Sequence, residues 1–503
     1  MAGVTQPVVR ETFRSRFGFL AAMLAYPSGM GTMTIVAFQA ILWGGGSFWI
    51  WFFLSYLLIA FPVIIADSVF GLSTRKANPL AWRKISGNKT IFEYFGWVVP
   101  IGNWIWNPTM LVVFGIYLDY FLNAWQGARF WTTNPGGFFW GTYLMTFRPI
   151  LFGLVLLFFV WLISYKSVNA WARIVLWLKP LAIAMCVILI AWNVIYNPQF
   201  WQGWAFTFNF RPTNLLFPMI AVQAALWVWW RCSVGAGPAT VFASYLPRGG
   251  DITDCVTIGC LADMLIIFAA GLFLPSMLVG VKIPPLYGGA TGLVFSGLPK
   301  MFNALGGTGL ILAMLWFIIF IPAGIPSIVV YQEQFGACLQ DKLGWTRTKT
   351  HSLLCIIAAL LIVVYGLPIY DAVNGESFGF TLIFTQWYWW SIYAGICILV
   401  ELIMLFKYFK PRRVVEIANE SSAIKLPMSF RYIYYVSFVL VAFMVAFMFA
   451  ATSGLVPGLP SASTGTMLAD GTGYYGLTPI GIAIMLIQLI PVVLIPLFFI
   501  RRR

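Results

Sequence analysis

Arg231-Cys232-Ser233-Val234-Gly235-Ala236-Gly237-Pro238 interrupts an apolar run near the middle of the chain, and Tyr26-Pro27-Ser28-Gly29-Met30-Gly31 interrupts the first such run in the same manner. Glycine costs about 1 kcal/mol and proline about 3 kcal/mol in a helix interior, so both stretches favour local unwinding. Inside a bilayer, unwound backbone survives only where protein buries it or where it lines a cavity. The two breaks fall in the first and sixth apolar runs, which are corresponding positions of two halves of five spans each. Paired interruptions of this kind are the sequence pointer to an inverted-repeat transporter with its binding site near the midplane. Two unrelated kinks are the plainer alternative.

Everything around the breaks calls for a membrane. Of 503 residues, 61% are hydrophobic and 9% charged, against about 25% charged in a soluble domain. With about 20 apolar residues needed per span, the runs predict an all-α membrane protein of twelve transmembrane helices. The runs are continuous and do not alternate, which disfavours a β-barrel. The 24 Trp, 45 Phe and 21 Tyr suit interfacial belts and bundle packing. No gap is long enough for a soluble domain, so 1–503 reads as one polytopic membrane domain. Its parts are a cytoplasmic tail (1–16), a first repeat of spans one to five (17–196), a second repeat of spans six to ten (214–408) and spans eleven and twelve (429–499).

The net charge of +15 would suggest nucleic acid in a soluble chain, but here the basic residues lie between apolar runs. Arg10, Arg14 and Arg16 precede the first span, Arg75, Lys76, Arg83, Lys84 and Lys89 fill the second gap, and Arg501 to Arg503 end the chain. The positive-inside rule then places both termini in the cytoplasm of a multi-pass plasma (inner) membrane protein. The partners implied are the bilayer and a small molecule, not nucleic acid. The seven Cys show no C-x-x-C spacing and read as small buried hydrophobes, so no metal or disulfide is implied. The lone His351 can build neither a zinc site nor a triad. The polar first sixteen residues lack a cleavable-signal pattern. No nucleophile–base set or phosphate-binding loop occurs, and no enzyme is expected.

Particular stretches then resemble the neurotransmitter:sodium symporter family, whose bacterial members include leucine and other amino-acid transporters. They are Ser15-Arg16-Phe17-Gly18-Phe19, the Gly29-Met30-Gly31 break, Gln39, Gly44-Gly45-Gly46, the Ile65 to Gly71 end of span two, Ser233 to Gly237 with Phe242-Ala243-Ser244-Tyr245, and Glu401. The likeness covers the whole layout, with motif-level matches in spans one, two, six, eight and ten. It implies a leucine-transporter-like fold, an inverted five-plus-five repeat with broken helices 1 and 6. The implied function is secondary active transport of an amino-acid- or betaine-like zwitterion, or an amine, by alternating access. Substrate-binding candidates are Tyr26, Pro27, Ser28, Gly29, Gly31, Trp104, Trp229, Trp230, Arg231, Ser233, Gly235 and Ser327. The tryptophans could cage a methylated ammonium group, and Arg231 could bind a carboxylate.

The departures concern the cations. The family's first sodium site uses an Asn after the first G-x-G, where Thr32 stands, and residues of spans six and seven that correspond to Arg231 and Asp263. An Arg231–Asp263 ion pair would put a fixed cation where a mobile one belongs, or merely staple two spans. The second site maps onto Ala25, Ser28, Ala323 and Ser327, with Pro326 in place of one hydroxyl. Sodium is the only cofactor left open, with its coupling weakened or lost. The family's outer ionic gate maps onto Ile35 and Gln386 and is missing. Lys179, Asp119 and Glu333 are further intramembrane charges that could relay protons or pair, and Lys179 could also snorkel to the surface. A competing reading is a transport-inactive relative serving as an accessory subunit of a larger membrane complex, and a homo-oligomer is equally open.

Overall fold

The computed structural model describes residues 11–25, 36, 40, 45–235, 237–247, 249–278, 289–371, 376–452 and 479–501. Its main helices are α1 (Arg16–Ala25), α2 (Gly46–Thr74), α3 (Thr90–Asn123), α4 (Arg148–Ser164), α5 (Val168–Tyr196), α6 (Pro218–Arg231) and α7 (Pro238–Ser244). They continue with α8 (Thr253–Leu278), α9 (Gly306–Leu343), α10 (Arg347–Tyr365), α11 (Phe378–Met404), α12 (Ile433–Thr452) and α13 (Pro479–Arg501). Among the described residues, seven helices are long and apolar enough to cross a bilayer, and a pair bent by 73° before and within α4 passes jointly. Among the described residues, the one β-pairing is a two-residue antiparallel one, Tyr370–Asp371 with Glu376–Ser377, in the connection before α11.

The centre is built on α3 and α9, which run against each other, with α4 covering α3 and α7 lying on α2. Lipid tails give helices no hydrophobic reason to associate, so close packing and interhelical hydrogen bonds must do it. The α3–α9 seam has both. Asn103 Nδ2 donates to Gln334 Oε1 at 2.9 Å, Trp104 Nε1 to Gln332 Oε1 at 2.8 Å, and Asn107 Nδ2 to the Ile328 carbonyl at 3.1 Å. Residues 103 and 107 are four apart and share a face, which is why both reach the same partner helix. The opposite surfaces of α4, α5, α10, α12 and α13 present Phe158, Trp177, Ile195, Leu360, Val439 and Leu494 outward, as lipid contact requires.

Three buried acids of the interior are held in place by partners. Asp119 of α3 takes both Arg148 Nε and Nη2 at 2.6 Å and the Tyr143 hydroxyl at 2.8 Å. Glu333 of α9 takes Arg347 Nη1 at 2.9 Å and Nη2 at 2.5 Å, with the Tyr245 hydroxyl at 2.6 Å. Asp67 of α2 accepts from the Thr240 hydroxyl of α7 at 2.7 Å. Asp119 and Glu333, open as relay candidates from sequence, are thus each clamped bidentately by an arginine that starts a neighbouring helix.

Candidate functional site

The polar turn between α6 and α7 is the feature around which a site can be built. The Cys232 N–H still donates to the Val228 carbonyl at 2.9 Å, and the Val234 N–H reaches back five residues to Trp229 at 2.9 Å, so the helix widens before it stops. Ser233, Gly235 and Gly237 then take φ values of 42°, 65° and 68°. Pro238 opens α7 at a position where its missing N–H costs nothing. Residues 232–235 and 237 are all buried. Non-helical backbone at such a depth is tolerated where protein buries it, as it does here.

Side chains from three helices close around it. The Ser233 and Tyr331 hydroxyls hydrogen-bond to each other, and the Tyr331 ring lies tilted on Trp106 at 5.9 Å. Trp229 is fully buried beside Gly395 of α11, and its indole N–H has no partner among the described residues. The Gly235 α-carbon abuts Ile398, so α11 forms a second wall. Trp104 faces elsewhere: its ring contacts Phe335 and Gln332 and borders an apolar cavity of about 670 Å³ between α3, α9, α10 and α13. The indole that reaches the turn through Tyr331 is therefore Trp106, two residues further along α3 and so on a nearly opposite face of that helix. Tyr331 shares the face of Ser327, four residues earlier, and that spacing is the signal by which it could have been found.

Tyr26, Pro27, Ser28, Gly29 and Gly31 lie outside the described residues, as do the side chains of Trp230 and Arg231. The other half of the expected Arg231–Asp263 pair is described: Asp263 is buried in α8 and accepts from the Tyr56 hydroxyl at 2.9 Å. Tyr56 begins a π turn, Tyr56–Ala60, inside α2, a local widening often associated with functional sites. Nothing in the sequence near Tyr56 marks this partnership.

A second polar cluster joins α1, α5 and α9. The Ser327 hydroxyl donates to the Ala25 carbonyl at 2.8 Å, and Lys179 Nζ donates to the Ala323 carbonyl at 2.7 Å. Lys179 is 3% exposed, so it does not reach toward the surface. Gln386 is buried and accepts from the Tyr365 hydroxyl.

The chain is similar along most of its length to known transporters. It is 24% identical over 455 residues, 84% of this chain and 87% of the relative, to an uncharacterised sodium-dependent transporter of Methanocaldococcus jannaschii. It is 21% identical over 446 residues, 78% of this chain and 70% of the relative, to the human sodium- and chloride-dependent taurine transporter. The crystal structure of MhsT in complex with L-phenylalanine superposes with a TM-score of 0.75 at 21% identity, covering 88% of this chain and 99% of that one. No family model matches.

Proposed function

As the chain is a divergent relative of the neurotransmitter:sodium symporters, we propose that this secondary transporter carries a small organic zwitterion or amine, amino-acid- or betaine-like, by alternating access with sodium coupling weakened or lost. The observation that carries the reading is the buried turn at residues 232–235 and 237, with positive φ at Ser233, Gly235 and Gly237, that separates α6 from α7 in the chain. In this reading α6 and α7 are halves of one interrupted span, α1 is the first half of its counterpart, and the full chain has twelve spans in an inverted five-plus-five arrangement. The basic loops put both termini in the cytoplasm of a plasma-membrane protein. A taurine-transporting relative and an L-phenylalanine-bound structural neighbour favour a ligand with separated cationic and anionic ends. Here Arg231 would take the anionic end, and the indoles of Trp229, Trp230 and Trp106 would take the cationic or methyl-rich end.

The test is a binding screen of amino acids and methylated amines on the purified chain, with sodium and with choline. Saturable binding of a zwitterion, similar in both salts, is the expected outcome. Arg231→Gln should abolish binding of a carboxylate-bearing ligand while sparing a simple methylamine. Steep sodium dependence would overturn the cation part of the proposal. Absence of any ligand would favour the accessory-subunit reading, to which the missing outer gate at Gln386 also points.

A further inference from the structure

Of the residues that the resemblance offers for a second sodium ion, the described ones, Ala25, Ala323 and Ser327, do not fit one. A hard cation needs several oxygens around it at once. Pro326 supplies no hydroxyl, the Ser327 hydroxyl is turned onto the Ala25 carbonyl at 2.8 Å, and the Ala323 carbonyl already receives Lys179 Nζ at 2.7 Å. Ala323 and Ser327 stand four residues apart on one face of α9, so both bonds are made on the same side of that helix. The cluster is closed: Ala25 is fully buried, Lys179 is 3% exposed and Ser327 is 9% exposed.

We propose that the Lys179 ammonium is a tethered cation standing in the second cation position, so that the chain itself supplies the positive charge a mobile sodium ion would bring. An ammonium is a compact charge with three donors, able to replace an ion among carbonyl and hydroxyl oxygens. A buried ammonium survives only where oxygens compensate its lost hydration. The α5 helix places it there because Lys179 lies on the inward stripe of an otherwise outward-facing span, with buried Val175, Ala182 and Leu189 on the same side. The junction of α1, α5 and α9 is then held without an ion that must enter and leave. The inference deepens the transporter reading and rests on it for one consequence, a cycle in which this position needs no sodium.

The test reads sodium directly on the purified full chain. Thermal unfolding and equilibrium ²²Na⁺ binding are compared in sodium and choline chloride for the natural chain, Ser327→Ala and the double variant Lys179→Ala with Pro326→Ser. The natural chain should unfold at the same temperature in both salts. The double variant, with the carbonyl freed and a hydroxyl restored, should bind ²²Na⁺ saturably and unfold several degrees higher in sodium, since a ligand that binds only the folded state stabilises it. A sodium-specific stabilisation of the natural chain that Ser327→Ala removes would overturn the proposal. So would a folded double variant indifferent to sodium. If the double variant does not fold, the natural chain and Ser327→Ala still decide. None of these readouts needs a transported substrate, so an empty ligand screen would sink the transporter reading and leave this result standing.

Discussion

At Gly237 the chain turns out of the broken span with φ 68°, and a β-carbon built there would lie 1.6 Å from Asn78 Nδ2. Two penalties meet at this residue. A left-handed conformation costs a non-glycine residue about 1–3 kcal/mol, and the Asn78 amide, 0% exposed, would have to shift within a buried setting. Gly344 shares the first penalty and not the second, since it has φ 65° with nothing within 4 Å. Gly237→Ala should therefore lower the unfolding temperature clearly more than Gly344→Ala, and equal shifts would show that the Asn78 contact is immaterial. The Gly-Pro signature of this turn is legible in the sequence because it is local chemistry. Asn78 as its neighbour, Tyr331 against Ser233 and Tyr56 against Asp263 are not, because each pairs residues from distant spans whose rotation about the helix axis is set by packing. The same limit hides from the sequence which indole of α3 meets Tyr331, and in the structure it is Trp106.

Between elements, α2 and α7 approach closely, and a β-carbon at Gly71 would sit 1.9 Å from the Thr240 carbonyl oxygen. That atom is backbone and cannot rotate away. The neighbouring bond from the Thr240 hydroxyl to Asp67 at 2.7 Å depends on the same approach. Small residues at helix crossings are how membrane helices come near enough to bond. Gly71→Ala should separate the pair and sharply reduce the yield of folded, monodisperse protein. Gly307→Ala, in open space within α9, should be neutral or stabilise by up to about 1 kcal/mol through helix propensity. Opposite signs for one chemical change would locate the effect in the crossing; two neutral results would show that α7 can shift freely. Apolar runs, Gly/Pro breaks and basic loops were readable as elements, since each depends on a short window. The arginines that clamp Asp119 and Glu333 were not, because Arg148 and Arg347 meet these acids only once the helices they begin are brought beside α3 and α9.

Over the whole molecule, one end of the bundle is fastened by a network that gathers five segments around Glu333. Arg347 bonds it at 2.5 and 2.9 Å, the Tyr245 hydroxyl at 2.6 Å, and His351 Nε2 lies 3.3 Å away. The segment before α1 joins in: the Phe13 N–H donates to the Tyr245 carbonyl at 2.8 Å, and Glu11 lies 3.6 Å from Arg347 while accepting the Val168 N–H at 3.1 Å. In the proposed topology this is the cytoplasmic end, so alternating access would require the network to part. Its strength depends on balance: removing one member of a buried pair strands a charge, at about 3–5 kcal/mol, whereas removing both leaves neutral groups that can still hydrogen-bond. Arg347→Gln should lower the unfolding temperature strongly and speed alkylation of the buried Cys338 and Cys355, which flank the network on α9 and α10. Adding Glu333→Gln should recover much of the stability, because the stranded carboxylate is gone, while the end stays easier to open than in the natural chain. Additive losses in the double variant would show that the two charges act apart and that closure at this end rests on packing alone.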